Sequence, residues 1–481
     1  MDSSTQSAVP LCVDLDGTLL RSDLLHESFL MLLREQPFVA LRAPLWLLQG
    51  KAHLKAEIAR RVDFSNASLP FNEAVVAHVR KARNEQPTVL VTGSHQSLAD
   101  AVARQADLFD TVQGSDDNTN LTSHNKLDWL VGEYGEGGFD YIGNDEDDLA
   151  VWPAARQAMV VAPVNDDQQV NSKLAAGTSF AHVFAIDRPG LSDYLGLLRI
   201  HQWSKNLLVL VPLALDQRMA DPAATITALM AFFAMCLLAS ATYIVNDMLD
   251  LQADRHNPTK SQRAMASGRV TLATGFRVMI LLLLGVLALA VFLPGPFNAM
   301  LLLYLVLTLF YSFVLKRKAI LDVITLAALH TLRVIAGAVA IYAEQSFWLL
   351  AFSMFLFFSL ALAKRVAELE NLEKAGKEEA NGRDYRVSDR PLLMSMGVAA
   401  ANMSVLVIAL YINSDEVRDS YANPTMLWLT CPILMYWLTR IWMKTSRGLM
   451  HEDPIVFAMR DTISLVSVGL MGAVLLLAIT L

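Results

Sequence analysis

From about residue 207 onward, apolar stretches long enough to cross a bilayer recur along the chain, and no other feature limits its fold so tightly. They run roughly over 207–215, 223–245, 272–293, 297–314, 319–342, 347–363, 393–413, 424–443 and 461–481. About 20 apolar residues span the hydrocarbon core as an α-helix, the open-chain conformation that satisfies every backbone N–H and C=O within one segment. Nine spans are predicted, the first short enough to need flanking residues or a tilt. With 54% hydrophobic and 18% charged residues, the composition agrees with an integral membrane protein. A net charge of −8 excludes nucleic acid as a partner, since binding a phosphate backbone needs a concentrated basic surface. Cys12, Cys236 and Cys431 lie far apart with no metal-binding spacing, so neither a disulfide framework nor structural zinc is expected.

Lys and Arg concentrate in alternate loops. Arg255, Lys260, Arg263 and Arg269 follow the second span, Lys316, Arg317 and Lys318 the fourth, Lys364, Arg365, Lys374, Lys377 and Arg383 the sixth, and Arg440, Lys444 and Arg447 the eighth. The intervening loops LPGPFN, AEQS and NSDEVRDSYANP are nearly free of Lys and Arg. The positive-inside rule therefore puts the basic loops in the cytoplasm of a multi-pass protein of the cell inner membrane. Residues up to about 190 mix charged and apolar positions, with short buried-strand runs such as Pro10 to Val13 and Thr88 to Val91 between helical stretches. This part reads as a soluble α/β domain. Its first residues lack a basic segment followed by a long apolar one, so no signal peptide is expected and the domain is placed in the cytoplasm. The junction DRPGLSDYLGLLRIHQWSKN is too short for a long tether, which puts the domain against the membrane.

In the α/β part, the apolar run Leu11 to Val13 leads into Asp14-Leu15-Asp16-Gly17-Thr18. Two carboxylates two positions apart lie on the same side of an extended chain, an arrangement suited to one nucleophile and one acid/base. This arrangement resembles the first motif of the haloacid dehalogenase superfamily, and three further pieces follow in that family's order. Thr92 matches its phosphoryl-holding hydroxyl, Lys126 in NLTSHNKLDWL its neutralising lysine, and FDYIGNDEDDLAVW its acidic magnesium motif through Asp148. The resemblance implies a Rossmann-type core with magnesium held by Asp14, Asp16, Asp148 and Asp145. The family usually has Asp where Asn144 stands, and Asn is a weaker, neutral ligand unless Asp145 takes its place. Residues 24–85 read as a helical cap whose segment FLMLLREQPFVALRAPLWLLQG is apolar enough to dip into a bilayer surface.

At the end of the second span, YIVNDMLDLQADRHNPTKSQR sets Asn246, Asp247, Asp250 and Asp254 at helical spacings of three and four, on one face. Carboxylates at a membrane interface are costly unless they bind something, and such a cluster suits Mg2+ holding a diphosphate. Arg255, Lys260 and Arg263 follow with phosphate-binding potential. The stretch resembles the first Asp-rich motif of the UbiA superfamily of intramembrane prenyltransferases, over essentially residues 197–481. That resemblance implies an all-α barrel of transmembrane helices around a cavity. Prenyltransferases of the superfamily also carry a second motif resembling DxxxD after the sixth span. Here that place reads LALAKRVAELENLEKAG, with Lys364, Arg365 and Glu368 in place of two spaced aspartates.

That departure, with LRIHQWSKNLLVLVPL, YSFVLKRKAILDVITLAALHTLRVIAGAV and HEDPIVFAMRD, resembles the decaprenyl-phosphate phosphoribosyltransferase branch. The branch implies transfer of phosphoribose from phosphoribosyl pyrophosphate to a polyprenyl phosphate. The partners are then a lipid phosphate and a phosphorylated sugar. Lys205, Lys260, Arg263, Lys316, Lys318, Arg333, Lys364 and Arg365 are the candidate phosphate-binding residues, Arg333 foremost because it lies inside an apolar run and needs an internal partner. Tyr304 and Tyr311 share a face of the fourth span at helical spacing, where they line the cavity or pack, and they are left outside the core site. The alternative is a conventional prenyltransferase moving an isoprenoid chain from its diphosphate to an aromatic or other acceptor, against which the missing second motif counts. A transport protein would show inverted repeats or discontinuous helices, which are not evident.

Overall fold

A computed structural model describes the chain except residues 1–8, 164–177, 258, 377, 379–383, 415–416, 418–420, 451–452 and 481. His451 and Glu452 of the HEDP segment and Lys377 and Arg383 of the sixth basic loop thus lie outside the described residues, as do the first eight on which the signal-peptide expectation rests. The chain packs as two compact units: residues 1–198 with 243–279, and residues 199–242 with 280–481. The Asp-rich segment accordingly packs with the α/β residues.

The first unit is built on six parallel strands in the order β3-β2-β1-β4-β5-β6. They are β1 (Leu11–Val13), β2 (Thr88–His95), β3 (Thr111–Ser115), β4 (Asp140–Gly143), β5 (Gln157–Pro163) and β6 (Phe180–Ile186). Strand alternation divides the core between two faces. Leu11, Val13 and Leu90 pack with the helices α1 (Leu24–Glu35), α4 (Lys51–Ala59), α5 (Glu73–Ala82) and α6 (Gln96–Ala106). Cys12, Val89, Val91 and Tyr141 join Leu130 of α7 (His124–Tyr134) on the other face. Strand order reverses between β1 and β4, and in open parallel sheets ligands bind beyond the strand C-termini at such a reversal. Asp14 and Asn144 begin the loops there.

The expected helical insertion is present: α1, α2 (Pro37–Ala40), α3 (Ala43–Leu48), α4 and α5 fill residues 24–82. Trp46 is buried beneath the Arg61 guanidinium, which lies 4.9 Å from its ring centroid. Phe38, Leu41 and Leu48 are instead 84%, 73% and 84% exposed. After β6 come α8 (Leu191–Leu198), then a 3-10 run Ile200–Leu210 and α9 (Val211–Leu215).

Among the described residues seven helices are long and apolar enough to cross a membrane. They are α10 (Pro222–Leu249), α12 (Leu272–Ala290), α13 (Gly295–Phe313, continued to Arg317), α14 (Leu321–Ala340), α15 (Phe347–Lys374), α16 (Arg390–Ile412, preceded by a turn from Val387) and α19 (Thr462–Thr480). Two of the nine predicted stretches differ. The stretch 207–215 is 3-10 helix followed by the five residues of α9, and 424–443 is a 3-10 turn, Pro424–Leu429, before the 17-residue α17 (Thr430–Ser446). In both, proline and 3-10 geometry near the helix start leave a shorter α-helix, five residues in α9 and 17 in α17.

The short segment α11 (Leu251–Arg255) follows α10, and α18 (Pro454–Arg460) precedes α19. Within the second unit α14 is the inner helix, 72% buried over its apolar window against 17% for α13 and 22% for α19. Gly337 of α14 lets the 3-10 run approach closely, since a Cβ there would strike the Val209 carbonyl. That run carries Lys205 and Asn206.

Candidate functional site

Three polar clusters stand out, two in the first unit and one in the second. At the C-terminal end of β1, Asp14 Oδ1 accepts a hydrogen bond from Lys126 Nζ at 2.7 Å, and Lys126 also reaches Asp148 Oδ1 at 3.2 Å. Tyr141 donates to the same Asp148 oxygen at 2.6 Å, while the Asn144 backbone N–H donates to Asp148 Oδ2 at 2.8 Å. One buried lysine thus serves two buried carboxylates. Burial lifts the Asp14 carboxyl to about 8, with Asp148 and Asp16 adding and Lys126 opposing. Burial pulls Lys126 down, but Asp14 and Asp148 more than offset it and hold the ammonium charged. The pocket therefore carries more buried carboxylate than one lysine balances. Asp16 turns the other way, accepting from the Leu24 backbone at 2.7 Å, from Ser94 Oγ at 2.8 Å and from Thr92 Oγ1 at 3.5 Å. Desolvation raises it to about 6.

Asp14, Asp16, Thr92, Lys126 and Asp148 are thus gathered at one sheet end. Asp145 is not: its carboxylate accepts from the Asp147 N–H at 2.9 Å, capping the turn Glu146–Asp148 at the surface. Asn144 stands in the pocket instead, its Oδ1 accepting from Thr18 Oγ1 at 3.0 Å, and that hydroxyl also lies 3.4 Å from Asp14 Oδ2. The +79° φ of Gly17 makes this turn, and a Cβ at that position would strike the Asn144 amide. Sequence reasoning missed Ser94, Tyr141 and Lys55. Lys55, from the insertion's α4, donates to the Gly93 carbonyl and to Asn120 Oδ1 at 2.7 Å. An isolated lysine in an amphipathic helix carries no local mark of such a reach.

In the Asp-rich segment the helix breaks at Asp250, between α10 and α11, yet the hydrogen-bond ladder continues: Asp250 N donates to Asn246 O and Asp254 N to Asp250 O. Asp247 and Asp254 converge on Arg263, whose Nη1 lies 3.1 Å from Asp247 Oδ1 and bonds Asp254 Oδ2. Lys260 Nζ is 4.0 Å from Asp254. Burial raises the Asp254 carboxyl, with Arg263 opposing and Asp247 adding. Arg255 takes no part in this cluster. Its guanidinium is turned to Glu27 of α1, Nη2–Oε1 2.6 Å, with both side chains buried.

In the second unit Lys205 Nζ and Lys364 Nζ meet one oxygen of Asp453 at 2.8 and 3.0 Å. Arg333 Nε donates to Asn206 Oδ1 at 2.8 Å and Nη2 to Tyr304 OH at 2.9 Å. The expected internal partner of Arg333 is therefore present, and it includes Tyr304, which sequence reasoning left outside the core site. Arg365 lies elsewhere: one position from Lys364, it is rotated about 100° around the helix. It pairs with Asp322 at 2.5 Å and with Glu368, while Tyr385 shares the same aspartate. Buried at both ends, this is a helix-to-helix fastening. Lys318 is exposed. Among the described residues no three His, Cys, Asp or Glu side chains already converge as a metal cluster.

A profile of the UbiA prenyltransferase family matches residues 208–448. An uncharacterized Sinorhizobium fredii protein, y4nM, is 39% identical over 460 residues, 95% of this chain and 88% of that one, so the match includes the α/β part. The decaprenyl-phosphate phosphoribosyltransferase of Mycobacterium tuberculosis is 32% identical over 244 residues, covering 50% of this chain and 80% of that one. A UbiA homolog from Archaeoglobus fulgidus, solved bound to DMAPP and Mg2+, superposes with a TM-score of 0.45 at 18% identity, over 59% of this chain and 98% of that one.

Proposed function

We propose, from the premise that this chain belongs to the UbiA prenyltransferase family, that it moves 5-phosphoribose from phosphoribosyl pyrophosphate to a polyprenyl phosphate. We propose further that the α/β domain is a haloacid dehalogenase-type phosphatase that removes the 5-phosphate from the product. The observation that carries the first part is the cationic character of α15 after its apolar run. Where prenyltransferases of the family place spaced aspartates, Lys364 shares Asp453 with Lys205. Two ammonium groups on one carboxylate leave a net positive site, which suits a phosphate better than a second magnesium-bound diphosphate. The similarity to the M. tuberculosis phosphoribosyltransferase supports the same donor.

In the transfer, a lipid phosphate oxygen forms a bond to the ribose C1 as the bond from C1 to diphosphate breaks. Asp247 and Asp254 already converge on one cation, Arg263, and their hard oxygens fit Mg2+, with Asn246 and Asp250 alongside. Bound there, the ion supplies electrostatic stabilisation of the leaving diphosphate. Arg263 and Lys260 add positive charge near the same carboxylates. In the second unit, Lys205 and Lys364 on Asp453, and Arg333 on Asn206, are the candidate residues for a substrate phosphate.

In the second reaction Asp14 attacks the phosphorus of the 5-phosphate and the ester oxygen leaves with a proton from Asp16. Water, deprotonated by Asp16, then releases inorganic phosphate. Lys126 and Thr92 hold the phosphoryl oxygens. Asp14 Oδ2 and Asn144 Oδ1 both face Thr18 Oγ1, a hard-oxygen pair that fits Mg2+, and the unbalanced buried carboxylates favour an added cation. Both reactions are placed on the cytoplasmic side of the inner membrane, where the basic loops are expected.

The test uses purified protein in nanodiscs with Mg2+, polyprenyl phosphate and ribose-labelled phosphoribosyl pyrophosphate, with the lipid read by mass spectrometry. Labelled lipid lacking the 5-phosphate is expected. Asp14→Asn should leave the 5-phosphate on the lipid, and Asp250→Ala should stop labelling. Unlabelled lipid, with prenyl transfer from a prenyl diphosphate, would hand the membrane domain to the alternative chemistry.

A further inference from the structure

We infer that Glu27 and Arg255 form a latch by which the α/β domain positions the Asp-rich segment, so that this domain is a working part of the transferase. The inference rests on the reading that Asp247, Asp250 and Asp254 serve the transfer. Arg255 follows Asp254 directly and sits at the end of α11. Its guanidinium grips Glu27 with both arms, Nη2–Oε1 2.6 Å and Nη1–Oε2 2.9 Å. Two further N–H groups are used as well: Nη1 on the Ser68 carbonyl at 2.8 Å and Nε on the Ala266 carbonyl at 2.9 Å. One turn earlier, Gln252 Oε1 accepts from the Ser68 N–H at 2.8 Å, and its Nε2 donates to Glu27 Oε2 at 3.4 Å. The charged side chains are 5% and 0% exposed.

This burial decides the role. An exposed ion pair holds little, whereas a buried bidentate pair with its lone pairs and donors satisfied fixes geometry, and removing one partner strands a charge. Four groups distant in the chain, on α1, at Ser68, on α11 and at Ala266, are tied at one point. A second contact supports it: Gly268, at φ +75°, packs so closely on Arg21 that a Cβ there would strike it. Arg255 is therefore not available to phosphate, as its position in the sequence suggested. Its place next to Asp254 makes it a positioning residue for the carboxylates that meet Arg263. The same N-terminal turn of α1 is tied to Asp16, which accepts from the Leu24 N–H at 2.7 Å. The same helix thus joins both candidate sites of the first unit.

The experiment follows transfer by full-length protein in nanodiscs across phosphoribosyl pyrophosphate, Mg2+ and polyprenyl phosphate concentrations. Glu27→Gln and Arg255→Gln are expected to lower kcat/KM for phosphoribosyl pyrophosphate about tenfold or more, the scale on which misplaced groups act. The Mg2+ concentration for half-maximal rate should rise, while KM for polyprenyl phosphate stays unchanged. A general loss of structure would move all three together. Gln252→Ala, which keeps the ion pair, should shift the same two quantities less, and hydrogen exchange should speed up over residues 251–266. Wild-type kinetics and exchange in Glu27→Gln and Gln252→Ala, with transfer lost in Asp254→Ala, would overturn the latch alone. Normal transfer by Asp254→Ala would overturn the site reading and the latch with it.

Discussion

Lys126 is the residue on which the α/β pocket balances. Its ammonium lies between Asp14 and Asp148, and its side chain is only 4% exposed. Replacing it with Met would leave two carboxylates facing each other without a counter-charge. Loss of one partner in a buried ion network costs about 3–5 kcal/mol. Lys126→Met should therefore lower the denaturation midpoint of the α/β domain, followed by Trp152 fluorescence, and abolish hydrolysis of a small phosphomonoester. An unchanged midpoint would mean that the carboxylates are not ionised together. Gly337 makes a comparable case within the membrane. A methyl group there must push back the Val209 carbonyl, and overpacking a tight contact costs about 1–3 kcal/mol. Gly337→Ala should lower the thermal stability of the detergent-solubilised protein and also weaken transfer, because the displaced run carries Lys205.

Among the elements, α2 and α3 expose what a soluble domain normally hides. Phe38, Leu41 and Leu48 face outward, and Arg42 and Lys51 flank them with no acidic residue between Glu35 and Glu57. Apolar side chains rimmed by positive charge suit an anionic bilayer surface, and seven apolar helices hold this chain at one. A fluorophore at Leu48→Cys in nanodiscs should be quenched by lipid-borne nitroxides, whereas one at Asp117→Cys should not. Equal quenching at the two sites would remove the bilayer as the partner of this face. The 3-10 run Ile200–Leu210 shows how far an element departs from its composition. Its apolar residues predicted part of a spanning helix, but the close contact with α14 and the pairing of Lys205 and Asn206 hold it in a tighter coil.

Taken as a whole, the molecule divides its polar chemistry between two units that do not follow the sequence boundary near residue 190. Removing residues 1–190 should therefore abolish lipid transfer, although Asp14→Asn is expected to spare it. The pair of results, read in the same mass-spectrometric assay, separates support from catalysis. Retained transfer in the truncated protein would show that the Asp-rich segment holds its geometry alone.

Periodicity and local spacing were enough to read the apolar spans, the β1 carboxylate pair and the Asp-rich helix end, because each depends on residues a few positions apart. Thr92, Lys126 and Asp148 came instead from the resemblance to the haloacid dehalogenase motifs. Sequence order could not say that Asn144 rather than Asp145 faces Thr18, since adjacent side chains on a turn diverge and only the cap decides which points inward. Nor could it separate Lys364 from Arg365, neighbours in the chain with different partners around the helix. Asp453, Tyr304 and Glu27 owe their roles to contacts across more than a hundred residues or between separate helices. Burial, charge pairing and close packing arise there only after the chain has folded, so tertiary structure alone decided which charges meet which partners.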